Sequence, residues 1–238
     1  VGHFYDPKTE SLVSKIVGKN GKERNLTIKD ARELGYYPSP TTIIGGVTNK
    51  DWLATWKLNL AWDVITNGKV SSKEEFLTKI ESEASKGRSL GSDTHSLMED
   101  AAKGKRNAFT PAFERIKEQI TALSGDIVQT ITETIVFDHE FRVGGTIDLG
   151  FETKDTIWIV DHKTMKKFDV PQDYEKQLCF YARGKAGKGK QVRTAVFAIL
   201  TDGVKADPNQ TLFTEVEWEK WQRWCKLARD LYRENNNL

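Results

Sequence analysis

Gly144 to Lys163, GGTIDLGFETKDTIWIVDHK, is the stretch whose reading decides the fold. Residues 144–151 and 156–163 are rich in Ile, Val, Thr and aromatics and predict two strands. The polar tetrad Glu152-Thr153-Lys154-Asp155 predicts a hairpin turn between them. A symmetric loop sets Asp148 opposite Ile159 and Thr146 opposite Asp161. Side chains alternate faces along a strand, so Asp148, Asp161 and Lys163 share one face and His162 takes the other. The two acids are then diagonal neighbours, roughly 7–8 Å apart at the backbone. Carboxylates reaching inward from that distance can grip one Mg²⁺ or Mn²⁺. An amine beside them suits the hydrolysis of phosphodiesters. A one-residue bulge would break this register.

An exposed acid–lysine pair would give the same letters and contribute little. Against it stands the apolar run Ile157-Trp158-Ile159-Val160, which predicts a central strand buried on both faces. An acid and a lysine at the end of such a strand are costly unless paired or metal-bound.

The chain has 238 residues, 38% of them hydrophobic and 29% charged, as expected of a soluble globular protein. The formal net charge is only +2, so any nucleic-acid contact must come from local clustering. The longest apolar runs fall far short of the roughly 20 residues of a membrane span. Val1 to Tyr5 lacks the charged-then-apolar pattern of a signal peptide and carries no initiator Met, so trimming is expected. Cys179 and Cys225 form neither a CxxC pair nor a zinc cluster; buried thiols in a reducing, cytoplasmic compartment are expected.

Helices precede strands along the chain. Residues 1–26 read as a polar hairpin around Lys19-Asn20-Gly21-Lys22. Thr27 caps a short helix ending at Gly35, and Tyr37-Pro38-Ser39-Pro40 is extended. Helices are expected over 51–67, with Trp52, Trp56 and Leu60 on one stripe, then from Ser71 or Ser72 to about Lys86, from about Ser92 to Lys103, and over 111–123. A strand over 127–136, the two site strands, a helix over 172–183, a strand over 191–200 and a terminal helix over 215–234 complete the order. In that last helix Trp218, Trp221, Trp224 and Leu231 share one side, read as a packing stripe rather than a nucleic-acid wedge. The pattern predicts an α/β fold in which 1–123 is an N-terminal hairpin and helical region and 124–238 the core, integrated as one unit.

Gln177 and Tyr181 are four apart on the helix after the site strand, as are His95 and Glu99 on an earlier helix. A neutral imidazole is a competent metal ligand. Arg183, Lys185, Lys188, Lys190 and Arg193 form a Gly-rich basic segment, read either as a solvated loop or as a phosphate-contacting one. Lys103, Lys105 and Arg106 are a weaker basic group.

Four patterns occur in order: Gly91-x3-His95-x3-Glu99, Gly145-x2-Asp148, Asp161-His162-Lys163-Thr164 and Gln177-x3-Tyr181. Together they resemble the RecB-type branch of the PD-(D/E)xK nuclease superfamily over roughly residues 36 to 200. The segment PSPTTII, Pro38 to Ile44, followed by Asp51-Trp52-Leu53, is similar to the lead-in of phage and mitochondrial single-domain exonucleases of that type. The resemblance implies a restriction-endonuclease-like mixed β-sheet flanked by helices. It implies His95, Asp148, Asp161 and the His162 carbonyl as ligands of Mg²⁺ or Mn²⁺, and Lys163 acting on the attacking water. It further implies that Gln177 and Tyr181 position DNA and the lysine, with Glu99 and Glu133 as auxiliary groups. Some relatives hold an iron–sulfur cluster on four cysteines; two cysteines cannot supply one.

The resemblance points to a DNA exonuclease of recombination, repair or replication, with a protein partner from those processes and a phage-infected bacterial cell as one setting. A structure-specific endonuclease and a non-cleaving DNA-binding module are the competing readings.

Overall fold

A computed structural model of the chain describes residues 2–18, 20–48, 51–67 and 70–238. The N-terminal segment forms β1 (Phe4–Asp6), β2 (Ser11–Val13) and the hairpin of β3 (Lys15–Val17) and β4 (Glu23–Asn25); Lys19 of the expected turn lies outside the described residues. Thr27 and Asp30 close a capping box at the start of α1 (Ile28–Leu34), and Gly35 ends it at φ 75° in the left-handed region. β5 (Tyr37–Pro38) then pairs with β1.

The expected extended stretch stops two residues early. Ser39 accepts from the Thr42 amide at 3.0 Å and Pro40 takes the first helical position of α2 (Pro40–Val47). Proline there has its φ preset, and its missing N–H would have had no helical partner.

α3 (Asp51–Asn67) follows as the spacing predicts, though the side chains of Trp52 and Trp56 lie outside the described residues. The two helices expected over 72–86 and 92–103 are a single helix, α4 (Lys73–Ala102), capped by Ser72. Gly87 and Gly91 weaken it by about 1 kcal/mol each relative to alanine, too little to break a run otherwise rich in Glu, Lys, Leu and Ala. Only the C-terminal third of α4 contains buried residues: Thr94, Met98 and Ala101. At ~1.5 Å per residue the helix is about 45 Å long, so its N-terminal part extends away from the core with α3 packed against it. α5 (Thr110–Ser124) follows the expected bounds within a residue.

The sheet is built from β6 (Ile127–Asp138), β7 (Val143–Thr153), β8 (Thr156–Met165), β9 (Gln191–Thr201) and β10 (Ala206–Val216), with α6 (Gln172–Lys185) crossing between β8 and β9. Its order is β10-β9-β8-β7-β6; only β8 and β9 are parallel, as a helical crossover requires. β10 is absent from the sequence expectation, which assigns no element between the strand over 191–200 and the terminal helix; it runs through Asp207-Pro208-Asn209-Gln210. The strand absorbs those residues as an irregularity between Ala206 and Thr211.

Strand β10 also takes the residues expected to begin the terminal helix, which instead forms a 3-10 turn at Trp218–Trp221 and then α7 (Gln222–Asn236). The tighter turn shifts the helical phase. Trp218, Cys225, Ala228 and Tyr232 face the core, Trp221 and Trp224 pack partly against it, and Leu231 is exposed.

Each sheet face has its own core. Ile147, Ile159 and Val196 pack with α2, α6 and α7 through Ile43, Leu178 and Cys225. Leu149, Phe151, Trp158, Val160 and Phe197 pack with α4 and α5 through Met98, Phe113, Ile116 and Ile120. Full burial of such side chains contributes roughly 1.5–3 kcal/mol apiece. Both cysteines are buried and free. Among the described residues no helix is long and apolar enough to cross a membrane.

Candidate active site

The site lies where the sheet divides. The β7–β8 ladder runs from Glu152↔Ile157 to Leu149↔Val160 and has no further rung among the described residues. β7 nevertheless stays paired with β6 back to Val143, and β8 with β9 out to Met165. The two strands therefore part beyond Leu149 and Val160, and the next residues into the opening are Asp148 and Asp161.

This corrects the expected register. The turn is Lys154-Asp155 alone, because Thr153 and Thr156 belong to the strands, with the Thr156 amide donating to Thr153 Oγ1 at 3.2 Å. The pairing shifts by two residues: Gly150, not Asp148, lies opposite Ile159. An even shift preserves the faces. It brings Asp148 level with Asp161 instead of diagonal to it.

A change of face also occurs at Asp148. Ile147 and Leu149 should share a face by alternation, yet Ile147 belongs to the α6-side core and Leu149 to the α5-side core. On β6, Thr132 pairs with Leu149 and Thr134 with Ile147, and Glu133 between them has φ 44°. A glutamate in the left-handed region is unusual and costs roughly 1–3 kcal/mol. The strain is located at the level of the acids.

Asp161 is buried, 4% exposed, and its Oδ1 accepts from Lys163 Nζ at 2.6 Å. Burial favours the neutral amine. The Asp161 carboxylate outweighs it by charge and hydrogen bond, with Asp148 adding to it, and holds the Lys163 ammonium above its usual pKa. Lys163 Nζ also lies 5.3 Å from the Tyr174 ring centroid. Asp161 Oδ2 is buried with no hydrogen-bond partner among the described residues. On α6, Gln177 Nε2 donates to the Tyr181 hydroxyl at 2.9 Å. Gly145 admits the tyrosine: a Cβ there would stand 2.4 Å from Tyr181 Cε1.

From the other side, α4 supplies His95 and Glu99. His95 Nδ1 is 3.5 Å from Asp148 Oδ2, and its ring lies 3.9 Å from that of His162. His162 thus points away from Lys163, as alternation predicts; both its ring nitrogens are buried without partners among the described residues. Burial, then His95 and Lys163, push the His162 pKa well below the ordinary range. Burial likewise lowers His95, against the pull of Asp148, and favours the neutral imidazole at both positions. Asp148 is raised by burial and by Asp161, and Glu133 by burial and by Asp148. Glu99 pairs with Lys103. His95, Glu99, Glu133, Asp148 and His162 line one cavity of about 510 Å³.

The donor chemistry suits a hard divalent cation: an orphaned buried carboxylate oxygen, two acids whose charge is disfavoured by its surroundings, and a neutral imidazole. Among the described residues no three His, Cys, Asp or Glu side chains are already grouped to hold a metal ion.

The basic segment is divided. Arg183 pairs with Asp138 at 2.7 Å and Glu140 at 2.9 Å, and lies 3.5 Å from the Phe141 ring centroid. Lys190 pairs with Glu152 and Arg193 with Glu215, each at 2.6 Å. These three brace the fold, while Lys188 is exposed and Lys185 half-buried. The loop lies beside the Lys154-Asp155 turn, where the Gln191 amide donates to Asp155 O at 3.0 Å. That is six residues, roughly 20 Å, along β8 from Asp161.

Tyr174 and Tyr5 escaped the sequence reading. Tyr174 is three residues before Gln177, a helical spacing that could have found it. The Tyr5 hydroxyl is 3.0 Å from Thr146 Oγ1, a contact across 141 residues with no local signal.

A family model described as PD-(D/E)XK nuclease superfamily matches residues 59–237. A search of curated proteins returned no match. Members of the superfamily generally use divalent metals such as Mg²⁺ or Mn²⁺, and the five-stranded mixed sheet flanked by helices is consistent with a restriction-endonuclease-like fold. The chain belongs to the PD-(D/E)XK nuclease superfamily.

Proposed function

We propose that the chain is a Mg²⁺- or Mn²⁺-dependent deoxyribonuclease that shortens DNA from a strand end. The observation that carries this reading is the fork between β7 and β8, which gathers Asp148, the Asp161–Lys163 pair and His95 at one opening. In this reading His95, Asp148, Asp161 and the His162 carbonyl hold the ion, with Glu99 and Glu133 supporting it. A bound divalent ion would lower the pKa of water and neutralise charge on the scissile phosphate.

The chain's own residues supply the rest. Lys163 is held by Asp161 at 2.6 Å, a carboxylate that favours the ammonium, and so would place positive charge where the transition state is most negative. Gln177 and Tyr181, joined by their hydrogen bond, orient the strand beside Lys163. Lys185 and Lys188 are the remaining cations of the basic loop for backbone contact, at a distance from the cut.

Attack from a strand end is supported by α4, whose C-terminal third carries His95 to the site while its N-terminal part extends outward with α3 as a wall on that side. A wall favours threading over side-on docking. The pathway is recombination, repair or replication, with a protein partner drawn from those processes. The test is digestion of end-labelled linear single- and double-stranded DNA beside a closed circle. Stepwise loss of the linear forms with the circle intact is expected. Cutting of the circle would make the enzyme an endonuclease, and binding without cutting in either metal would make it a DNA-binding module.

A further inference from the structure

A second charged site lies away from the fork. Arg32 of α1, Arg142 of the β6–β7 turn, and Arg229 and Arg233 of α7 line one cavity of about 130 Å³ with Tyr37 and Phe141. Among the described residues no acidic side chain lines it; Leu238, which also lines it, accepts from Arg233 through its O atom. A pocket of this size, open to solvent and rimmed by guanidinium groups, has room for one phosphate group.

The arginines are not used up by the fold. Arg32 donates to Asn236 O and Arg233 Nε to Leu238 O, so the carbonyl end of α7 takes one N–H from each. Each guanidinium has five. Arg229 Nε lies 2.6 Å from Asp230 Oδ1, yet makes no hydrogen bond, and Nη1 reaches Glu140 O at 3.4 Å. Arg142 has no hydrogen bond or ion pair among the described residues; its guanidinium lies 5.5 Å from the Tyr37 ring centroid. Its backbone sits at φ 55°, a costly conformation for arginine. Burial, then Arg142 and Arg229, pull Arg233 below its ordinary pKa, the mark of like charges held together.

We infer that this pocket binds a phosphate group, with Arg142 and Arg32 closing on it from the exposed side. Planar, multiply donating guanidinium groups match phosphate geometry. The source that fits best is the backbone of a nucleic-acid strand. That source rests on the nuclease reading above; the anion pocket does not. Six residues of β7 separate Arg142 from Asp148, roughly 20 Å, so the pocket would hold the strand several nucleotides from the cut.

The test is binding of a labelled single-stranded oligonucleotide in EDTA, where no cutting occurs, to the full chain and to its Arg142→Ala and Arg32→Ala variants. Both side chains are exposed, so truncation leaves the core intact. Thermal shifts with inorganic phosphate form the second arm. Each variant is expected to weaken oligonucleotide binding about threefold to tenfold and to lower the salt slope by about 0.7, one single-strand phosphate contact. Unchanged oligonucleotide binding with loss of the phosphate-induced shift would assign the pocket to free phosphate and overturn the strand. Unchanged behaviour in both arms would overturn the site. Weakened binding by the variants, in a protein that cuts no DNA, would keep the site and remove the nuclease reading.

Discussion

Lys163 is defined by its partner. Asp161 takes its proton-bearing end at 2.6 Å and leaves Oδ2 free. Lys163→Ala should therefore reduce cleavage about 10²- to 10³-fold or more, with DNA binding in EDTA retained; a turnover assay beside an anisotropy titration reads both. Lost binding or a collapsed melting transition would give the lysine a structural role instead. Gly145 carries a separate claim. Its Cβ would meet the Tyr181 ring, so Gly145→Ala should cost roughly 1–3 kcal/mol by overpacking, read as a lower denaturant midpoint. At this scale the spacings Gly145-x2-Asp148 and Asp161-x-Lys163 stood in the letters, and alternation separated His162 from Lys163. The two-residue register shift was not legible. Thr153 and Thr156 suit a strand or a turn equally, and their hydrogen bond at 3.2 Å decides it. The face change at Asp148 was also hidden, since nothing in the letters around Glu133 signals a left-handed backbone.

Among the elements, α4 departs furthest from the sequence expectation. Glycine lowers helix stability without forbidding a helix, and the signal at 87–91 was read as a break. A Cβ at Gly87 would meet nothing within 4 Å. Gly87→Ala should thus stabilise the protein by up to ~1 kcal/mol, raising Tm by roughly 2–4 °C for a chain of this size. A fall in Tm would mean that the helix bends there. α2 and β10 were not expected: Pro40 was read as extended and 206–214 carried no assignment, but Pro40 occupies a helix start and Pro208 an edge-strand irregularity. α1, α3, α5 and β9 matched closely because caps and apolar periodicity agreed with the final packing.

Over the whole molecule, one mixed sheet performs two tasks. Its closed half, Leu149 to Thr153 against Thr156 to Val160, packs apolar side chains on both faces. Its open half has no ladder between β7 and β8 and presents acids, a lysine and two imidazoles. The sequence could show that the acids lay on neighbouring strands, but not that the strands part, because ladder length depends on β6 and β9 drawing them away. Contacts such as Tyr5 with Thr146 are likewise set only by the assembled fold.

The central claim is that the fork is a metal-dependent phosphodiesterase. Asp161→Asn tests it most directly, since it removes the charge of the buried oxygen that has no partner. Cleavage of end-labelled DNA should be followed for the native chain and this variant, with EDTA, Mg²⁺ or Mn²⁺, beside melting curves for both. The account predicts cleavage by the native chain only with a divalent ion, and none by a variant that still melts cooperatively. Equal cleavage by Asp161→Asn, or cleavage in EDTA, would contradict it.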